Sequence, residues 1–522
     1  MLRKFIYGLC LVALLVIAGG YGYLHTKLPQ RSGEIVLPGL KHKVQVLFDE
    51  WAVPHIEAQN EQDAYLALGY LHAQDRLFQL ELMIRVAQGR LSEILGEDML
   101  DADRYFRTLG ISRFAETYAK DYFHKNPQNV KDALKAYLSG LNAFVSGGPA
   151  PIEFTLLGIP KREYTIKDLI CTGVYMSYTF TNAVRQDPLL SYIHNTFGAG
   201  YLKDLAVYWP KDDTKIDVSG KSSGSELELA ELSFEIANVL SQVPPFFGSN
   251  AWAVSGSRTK SGKVILANDP HIGYAAPSTW YEAHLKTPDW ELYGHHIAGI
   301  PFAIIGHNRR MAWGVTMLQN DDLDFYLERS NPDNPDQVWF RDDWEDLKII
   351  EEAIPVRDRE DYPLRIRISR HGPVINDVLE PVKESVKQPV ALSWQMLSDF
   401  ENSTEQVFYE LGHSKTLADT HAAVSKLHAP GLNISYGDAE GNIAWWAAAR
   451  LLIRPSHVNS FIFLDGASGM DEVQGYRDFS GNPQSVNPDS GIVFNANNQP
   501  GDMGTGLEPG YYAPETRARR LS

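Results

Sequence analysis

The sequence predicts an α+β fold, with helices concentrated in its first half and strands in its second. Two observations carry this reading. From Glu61 to Leu95, apolar residues recur near a spacing of 3.6, at Leu66, Tyr70, Leu77, Leu80, Ile84 and Leu91, which is one face of a helix. Beyond Gly248 the pattern becomes short apolar runs separated by turn residues such as Ser261-Gly262-Lys263, the signature of strands. No internal repeat is visible.

The elements follow in order. Ile35–Glu57 alternates apolar and polar residues (Val44, Val46, Phe48, Ile56) and reads as a hairpin entering a sheet. Helices are expected over Ile111–Tyr122, Asn129–Phe144 and Lys167–Thr181, with Pro151–Pro160 as a connection. Lys211–Glu228 is rich in Asp, Lys, Ser and Gly and reads as a linker. A modest helix over Leu227–Val243 is broken by Pro244-Pro245. Strands are then expected at Ala251–Val254, Val264–Ala267, Trp280–Lys286 and Gly299–Gly306. Glu515–Leu521 reads as the first turns of an amphipathic helix, so the fold is expected to be incomplete at this end.

Composition is that of a globular protein, 44% hydrophobic and 22% charged. The net charge is 48 − 65 = −17, which argues against nucleic-acid binding, since that needs a basic surface. Of the two cysteines, Cys10 lies in an apolar leader, so no disulfide framework is expected. Met1–Lys4 is basic and Phe5–Leu24 carries no charged residue. That is a signal peptide's pattern, and the run is also long enough to span a bilayer. With no small-x-small cleavage site before His25-Thr26-Lys27, residues 1–27 read more readily as an uncleaved signal anchor than as a cleaved peptide. The rest of the chain is then exported, into the periplasm or onto the periplasmic face of the inner membrane.

Several ordered blocks stand out. The first is Gly248-Ser249-Asn250-Ala251-Trp252-Ala253-Val254, continuing to Asn268-Asp269-Pro270-His271. The second is Gly306-His307-Asn308 with Met311-Ala312-Trp313-Gly314, and the third is Asn495-Ala496-Asn497-Asn498. Upstream lie Gly69-Tyr70-Leu71-His72-Ala73-Gln74-Asp75-Arg76 and Gln88-Gly89-Arg90-Leu91-Ser92-Glu93. In this order and spacing they resemble the penicillin acylase family of N-terminal-nucleophile hydrolases, from about Glu34 to the last residue.

The resemblance implies an αββα sandwich and a precursor that becomes a heterodimer. The divisions expected are a leader (1–27), an α-chain (28–215), a spacer (216–248) and a β-chain (249–522). It implies cleavage between Gly248 and Ser249, with Ser249 as nucleophile. A serine hydroxyl needs a base, and a chain-terminal serine carries one, an α-amine of pKa about 7.7–8.0. In the precursor that nitrogen is an amide and cannot act. Gly248 leaves the scissile carbonyl accessible and tolerates strain. By the resemblance, the Met317 N–H and the Asn497 amide form the oxyanion hole, His271 lies near the amine, and Arg517 supports the site. Met176, Phe180, Ile272, Ile305 and Val315 would line an apolar acyl pocket, though singly each could be ordinary core packing. Ile272 and Ile305 stand where aromatic-selective members carry Phe, which favours an aliphatic acyl group. A structural Ca2+ is implied at Asp321, Asp324 and the Leu323 carbonyl. The α-chain ligand would be Gln186, or Asp187 after a one-residue shift. No organic cofactor is implied.

The expected activity is therefore hydrolysis of a linear, small-molecule amide. A penicillin amidase and an acyl-homoserine-lactone acylase stay equally open. A catalytically inactive, membrane-anchored binding protein is the rival from another class. Ser257-Arg258-Thr259-Lys260 matches Ser-x-x-Lys but lacks the Lys-Thr-Gly strand its chemistry requires. His295-His296 lacks the spaced partners of a zinc site.

Overall fold

A computed structural model describes residues 2–204, 246–379, 387–502, 504 and 506–521. The expected spacer, as far as residue 245, and the expected helix Leu227–Val243 lie outside these residues.

Helix α1 (Leu2–His25) stands fully exposed, with a mean hydropathy of 2.1 over Arg3–His25. It is long and apolar enough to cross a membrane. At its end, Tyr23 and Thr155 share a hydrogen bond of 3.1 Å. Two strands follow, β1 (Gln45–Phe48) and β2 (Pro54–Glu57), which pair antiparallel as the alternation predicts.

Helix α2 (Glu61–Gln88) starts where the Asn60 side chain accepts the Asp63 N–H at 2.9 Å. It stops at Gly89, whose φ of 61° is the left-handed conformation that glycine adopts at no cost. α2 is buried along most of its length because α3 (Gln128–Gly147), α4 (Ile166–Tyr178) and the sheet all pack against it. Two glycines set how closely α2 and α3 approach. A Cβ on Gly69 would lie 1.9 Å from the Tyr137 carbonyl oxygen, and one on Gly140 would lie 1.8 Å from that of Leu66.

The Pro151–Pro160 connection contains a short helix, Ile152–Leu157. Pro151 is its N-cap, just before the first turn, where the missing N–H leaves no helical hydrogen bond unmade. Helix α5 (Ala183–Phe197) carries the residues on which the metal expectation turns.

The β-rich half builds the expected two-sheet arrangement. Its first strands are β3 (Phe246–Val254), β4 (Ile265–Ile272), β5 (Trp280–Lys286), β6 (Glu291–Ile297), β7 (Ile300–His307) and β8 (Met311–Met317). Later come β9 (Leu432–Asp438), β10 (Ile443–Ala448), β11 (Gln484–Val486) and β12 (Ile492–Asn495). Among the described residues, nine strands form one sheet in the order β1-β2-β5-β6-β7-β8-β9-β10-β11. A second sheet of three, β12-β3-β4, packs face to face on β8, β9 and β10. Asn268 ties the sheets together. Its Nδ2 donates to the Asn250 and Val315 carbonyls (2.9 and 3.0 Å), and its Oδ1 accepts the Val315 N–H at 2.9 Å. Gly314 makes room for it, since a Cβ there would lie 2.8 Å from the Asn268 Cβ.

Helices α2, α4 and α6 (Thr404–His413) cover the other face of the large sheet. The layers run helix, sheet, sheet. The short helix Ala518–Leu521 packs against β12 of the small sheet. The class is α+β, as the sequence predicts.

Candidate active site

Strand β3 carries Ser249 into the interior between the sheets and the helices, where it is 3% exposed. Opposite it in the ladder is Pro270 of β4, and His271 faces Gly248. Gly248 has a φ of 149°, in the region that favours glycine. A Cβ there would meet Arg517 Nη2 at 3.1 Å, Asn497 Oδ1 at 3.2 Å and His271 Nδ1 at 3.6 Å. The bond before Ser249 therefore threads through the other candidate residues.

Asn497 makes the central contacts. The Ser249 N–H donates to Asn497 Oδ1 at 2.6 Å. Asn497 Nδ2 in turn donates to Ser249 Oγ at 3.1 Å and to the Met317 carbonyl at 2.9 Å. Asn497 is fully buried and holds a φ of 59°, which asparagine tolerates better than most residues. Its backbone N–H is fixed by Asn495 Oδ1 at 2.9 Å. That same oxygen accepts from Thr316 Oγ1 (2.6 Å) and Asn433 Nδ2 (3.2 Å). One side-chain network thus binds β8, β9 and β12 behind the site.

Arg517 closes the other side. Its Nη1 donates to the Ser249 carbonyl (2.7 Å) and to Asn250 Oδ1 (2.5 Å), and its Nη2 to Asn497 Oδ1 (3.0 Å). Burial lowers its pKa from the usual value. His271 Nε2 lies 3.1 Å from Asn250 Nδ2 and 3.0 Å from Asp269 Oδ2. The His271 contact, helped by the Asn250 bond, outweighs desolvation and holds the Asp269 carboxyl below its ordinary range. Ser249, Asn497, Met317, His271 and Arg517, which lie in three separate stretches of sequence, therefore meet at one place.

A cavity opens from Ser249 toward the helices. Met176, Phe180 and Val315 line it, but Ile272 and Ile305 do not. Successive strand residues face opposite sides. Ile304 faces the cavity, so Ile305 turns away, toward its ladder partner His295. Ile272 pairs with Phe246 two positions beyond Pro270, and Pro270 takes the place in the lining. Residue-type reasoning also missed Phe114, Trp280, Phe408 and Glu405 in the lining, which come from elements distant in sequence. Asn268 and Asn495 stood within the quoted blocks and could have been read as polar residues destined for burial, but Asn433 had no such signal.

The expected metal residues form a separate buried cluster. Gln186 is exposed on α5, whereas Asp187 is 1% exposed. The α5 residue that turns toward Asp321 and Asp324 is thus Asp187, because neighbours on a helix point about 100° apart. Burial, and then mutual repulsion, raises the Asp187 carboxyl well above its ordinary range. Burial pushes Asp321 up to about 7 against the opposing pull of Arg454. Arg454 donates to Asp324 Oδ2 at 3.0 Å and to the Asp321 carbonyl at 3.1 Å. Asp187 Oδ2, both Asp321 oxygens and Asp324 Oδ1 are buried without a donor. Three carboxylates against one guanidinium leave unbalanced negative charge on hard oxygen donors, which fits a divalent cation such as Ca2+ in kind. Among the described residues no three acidic side chains converge closely enough to coordinate an ion as they stand, so binding would draw them together. Leu323 opens a strand (Leu323–Leu327) against Trp394 beside this cluster.

The penicillin amidase family model matches residues 43–522. Penicillin acylase 2 proenzyme of Pseudomonas sp. (strain SE83) is 31% identical over 525 residues, covering 96% of this chain and 65% of that protein. Acyl-homoserine lactone acylase QuiP of Pseudomonas aeruginosa is 27% identical, covering 98% and 62%. Penicillin G acylase of Escherichia coli is 24% identical, covering 88% and 59%. The chain thus spans about three fifths of the length of these relatives. A crystal form of the thermostable penicillin G acylase of Alcaligenes faecalis overlays with a TM-score of 0.46 at 26% identity, covering 51% of this chain and 46% of that one. A family match that extends over nearly the whole chain and takes in Ser249, Asn497 and Arg517 places this protein in the penicillin amidase family.

Proposed function

We propose that the protein is an amidohydrolase that cleaves its own Gly248–Ser249 bond and then removes an apolar acyl group from a linear amide through an acyl-Ser249 ester. The observation that carries this reading is the double contact of Asn497 with Ser249, to its nitrogen at 2.6 Å and its hydroxyl at 3.1 Å.

The chemistry follows from those atoms. Cleavage turns the Ser249 N–H into a free amine, held by Asn497 Oδ1. That amine accepts the Oγ proton as Oγ attacks the substrate carbonyl. Asn497 Nδ2 and the Met317 N–H donate to the oxyanion. The proton then passes to the leaving amine. Water, activated by the same amine, hydrolyses the ester. His271 and Arg517 position the groups around the amine.

The apolar cavity supports an acyl rather than a charged group. Resemblance to relatives named penicillin acylase and acyl-homoserine lactone acylase leaves both amide classes as substrates. On this reading one precursor yields two chains that remain together, and α1 exports the protein or anchors it facing the periplasm. A calcium ion held by Asp187, Asp321, Asp324 and the Leu323 carbonyl would tie α5 to the β-chain, in a purely structural role.

A denaturing gel tests the reading. Two fragments that break between residues 248 and 249 are expected, with amide hydrolysis, and Ser249→Ala should abolish both. A persistent single chain, unaltered by Ser249→Ala, would overturn it.

A further inference from the structure

The acyl cavity is apolar apart from a few groups, and nearly all of those are already engaged. Asn402 Nδ2 and Thr404 Oγ1 both donate to the Ala429 carbonyl, at 2.7 and 2.9 Å. The Tyr118 hydroxyl accepts from Asn126 Nδ2 at 3.1 Å. Ser177 Oγ donates to the Gly173 carbonyl at 3.0 Å, and Thr316 Oγ1 to Asn495 Oδ1 at 2.6 Å. Glu405 is different. It stands in the first turn of α6 and lines the same cavity as Ser249. It is half-buried and lines the cavity. Among the described residues it has no ion pair, and the group that bonds it is its own backbone N–H. Burial raises its pKa from the ordinary value.

A carboxyl set in an apolar wall with only its own backbone N–H to bond it is incompletely satisfied. Among the described residues no other side chain hydrogen-bonds it, although the Tyr118 hydroxyl on the same wall lies within its electrostatic reach, so a ligand in the cavity can supply the missing complement. An acyl chain attached at Ser249 extends into this space. A plain alkyl chain would remove water from Glu405 and leave it unpaired. A hydroxyl on the chain would donate to the carboxylate, or accept from the carboxylic acid, and so satisfies it in either protonation state. We propose that Glu405 makes the pocket selective for acyl chains that carry a hydroxyl group remote from the carbonyl, over plain alkyl chains of the same length. This inference rests on the amidohydrolase reading for the position of the carbonyl.

The test uses the full-length protein and acyl anilides from hexanoyl to dodecanoyl, each with and without a terminal hydroxyl. At the matching length, the hydroxylated chain should have a kcat/KM roughly tenfold or more above its plain counterpart, because a site built to hydrogen-bond a hydroxyl rejects the analogue without one. Glu405→Leu should reverse the preference by accelerating the plain chain, while Glu405→Gln, which keeps hydrogen-bonding atoms, should retain it. Calorimetric binding of the free acids gives the same comparison without turnover. Equal or better use of plain chains at every length would overturn the proposal, as would a preference that Glu405→Leu leaves unchanged. A preference for terminal ammonium over hydroxyl would overturn the assignment of the group. If the hydroxy acids bind in a Glu405-dependent way but no anilide is cleaved, the amidohydrolase reading fails and the pocket assignment survives.

Discussion

At the scale of residues, one asparagine does two jobs with opposite ends of the same amide. Asn497 Oδ1 accepts from the Ser249 nitrogen while its Nδ2 donates to the hydroxyl. On the proposed mechanism, Asn497→Ala should lower kcat for amide hydrolysis by roughly 10²–10³, the usual cost of one lost oxyanion donor. Asn497→Asp separates the two roles, since a carboxylate can hold the amine but cannot donate to an oxyanion, and it should lose activity while keeping Ser249 in place. Gly248, Ser249 and Asn497 were legible only through the resemblance carried by several ordered blocks, since Gly-Ser-Asn alone reads as a surface loop and Asn-x-Asn-Asn alone as a turn. The pocket was less so. Ile305 was expected and Ile304 is found, a slip of one residue that on a strand means the opposite face.

At the scale of elements, two features decide how parts meet. The reciprocal glycines of α2 and α3 leave no room for a methyl group, the hypothetical Cβ atoms lying 1.8–1.9 Å from backbone oxygens. Gly140→Ala should force the helices apart and lower stability by about 1–3 kcal/mol or more, read as a fall in Tm with the Ser249 site chemically intact. Gly69 stood in a recognised block, but nothing in the sequence shows which helix it approaches, because that partner lies about seventy residues away. The second feature is His371. Its Nδ1 and Nε2 each lie 2.8 Å from a carboxylate oxygen, of Glu328 and Glu472 respectively. Burial alone would depress its pKa, but the two carboxylates outweigh this and raise it. A raised folded-state pKa stabilises the fold fully below the unfolded value of about 6.5 and loses that contribution as pH climbs through the folded value. Between those two values Tm should fall with rising pH more steeply in the native protein than in His371→Gln. Identical slopes would rule this out.

At the scale of the whole molecule, the order helix-rich then strand-rich was visible in periodicity alone, whereas the layering was not. Pairing β3 with β12 joins residues about 240 positions apart, and no local pattern encodes such a contact. The acidic cluster also works at this scale, because α5 meets the β-rich half there. If calcium occupies it, a chelator should lower Tm and added Ca2+ restore it, and Asp187→Asn should weaken the response while Gln186→Ala should not. If α1 anchors the protein, deleting residues 2–27 should release it from membranes, since α1 is exposed along its length. Finally, the bond from the Ser249 N–H to Asn497 spans 248 positions of sequence. If the protein cleaves its Gly248–Ser249 bond as proposed, scission waits for the last strand of the small sheet to dock, and so proofreads folding. On that reading, a chain stalled before β12 joins β3 would keep the Ser249 nitrogen locked in a peptide bond, and a misfolded molecule could not become a stray hydrolase.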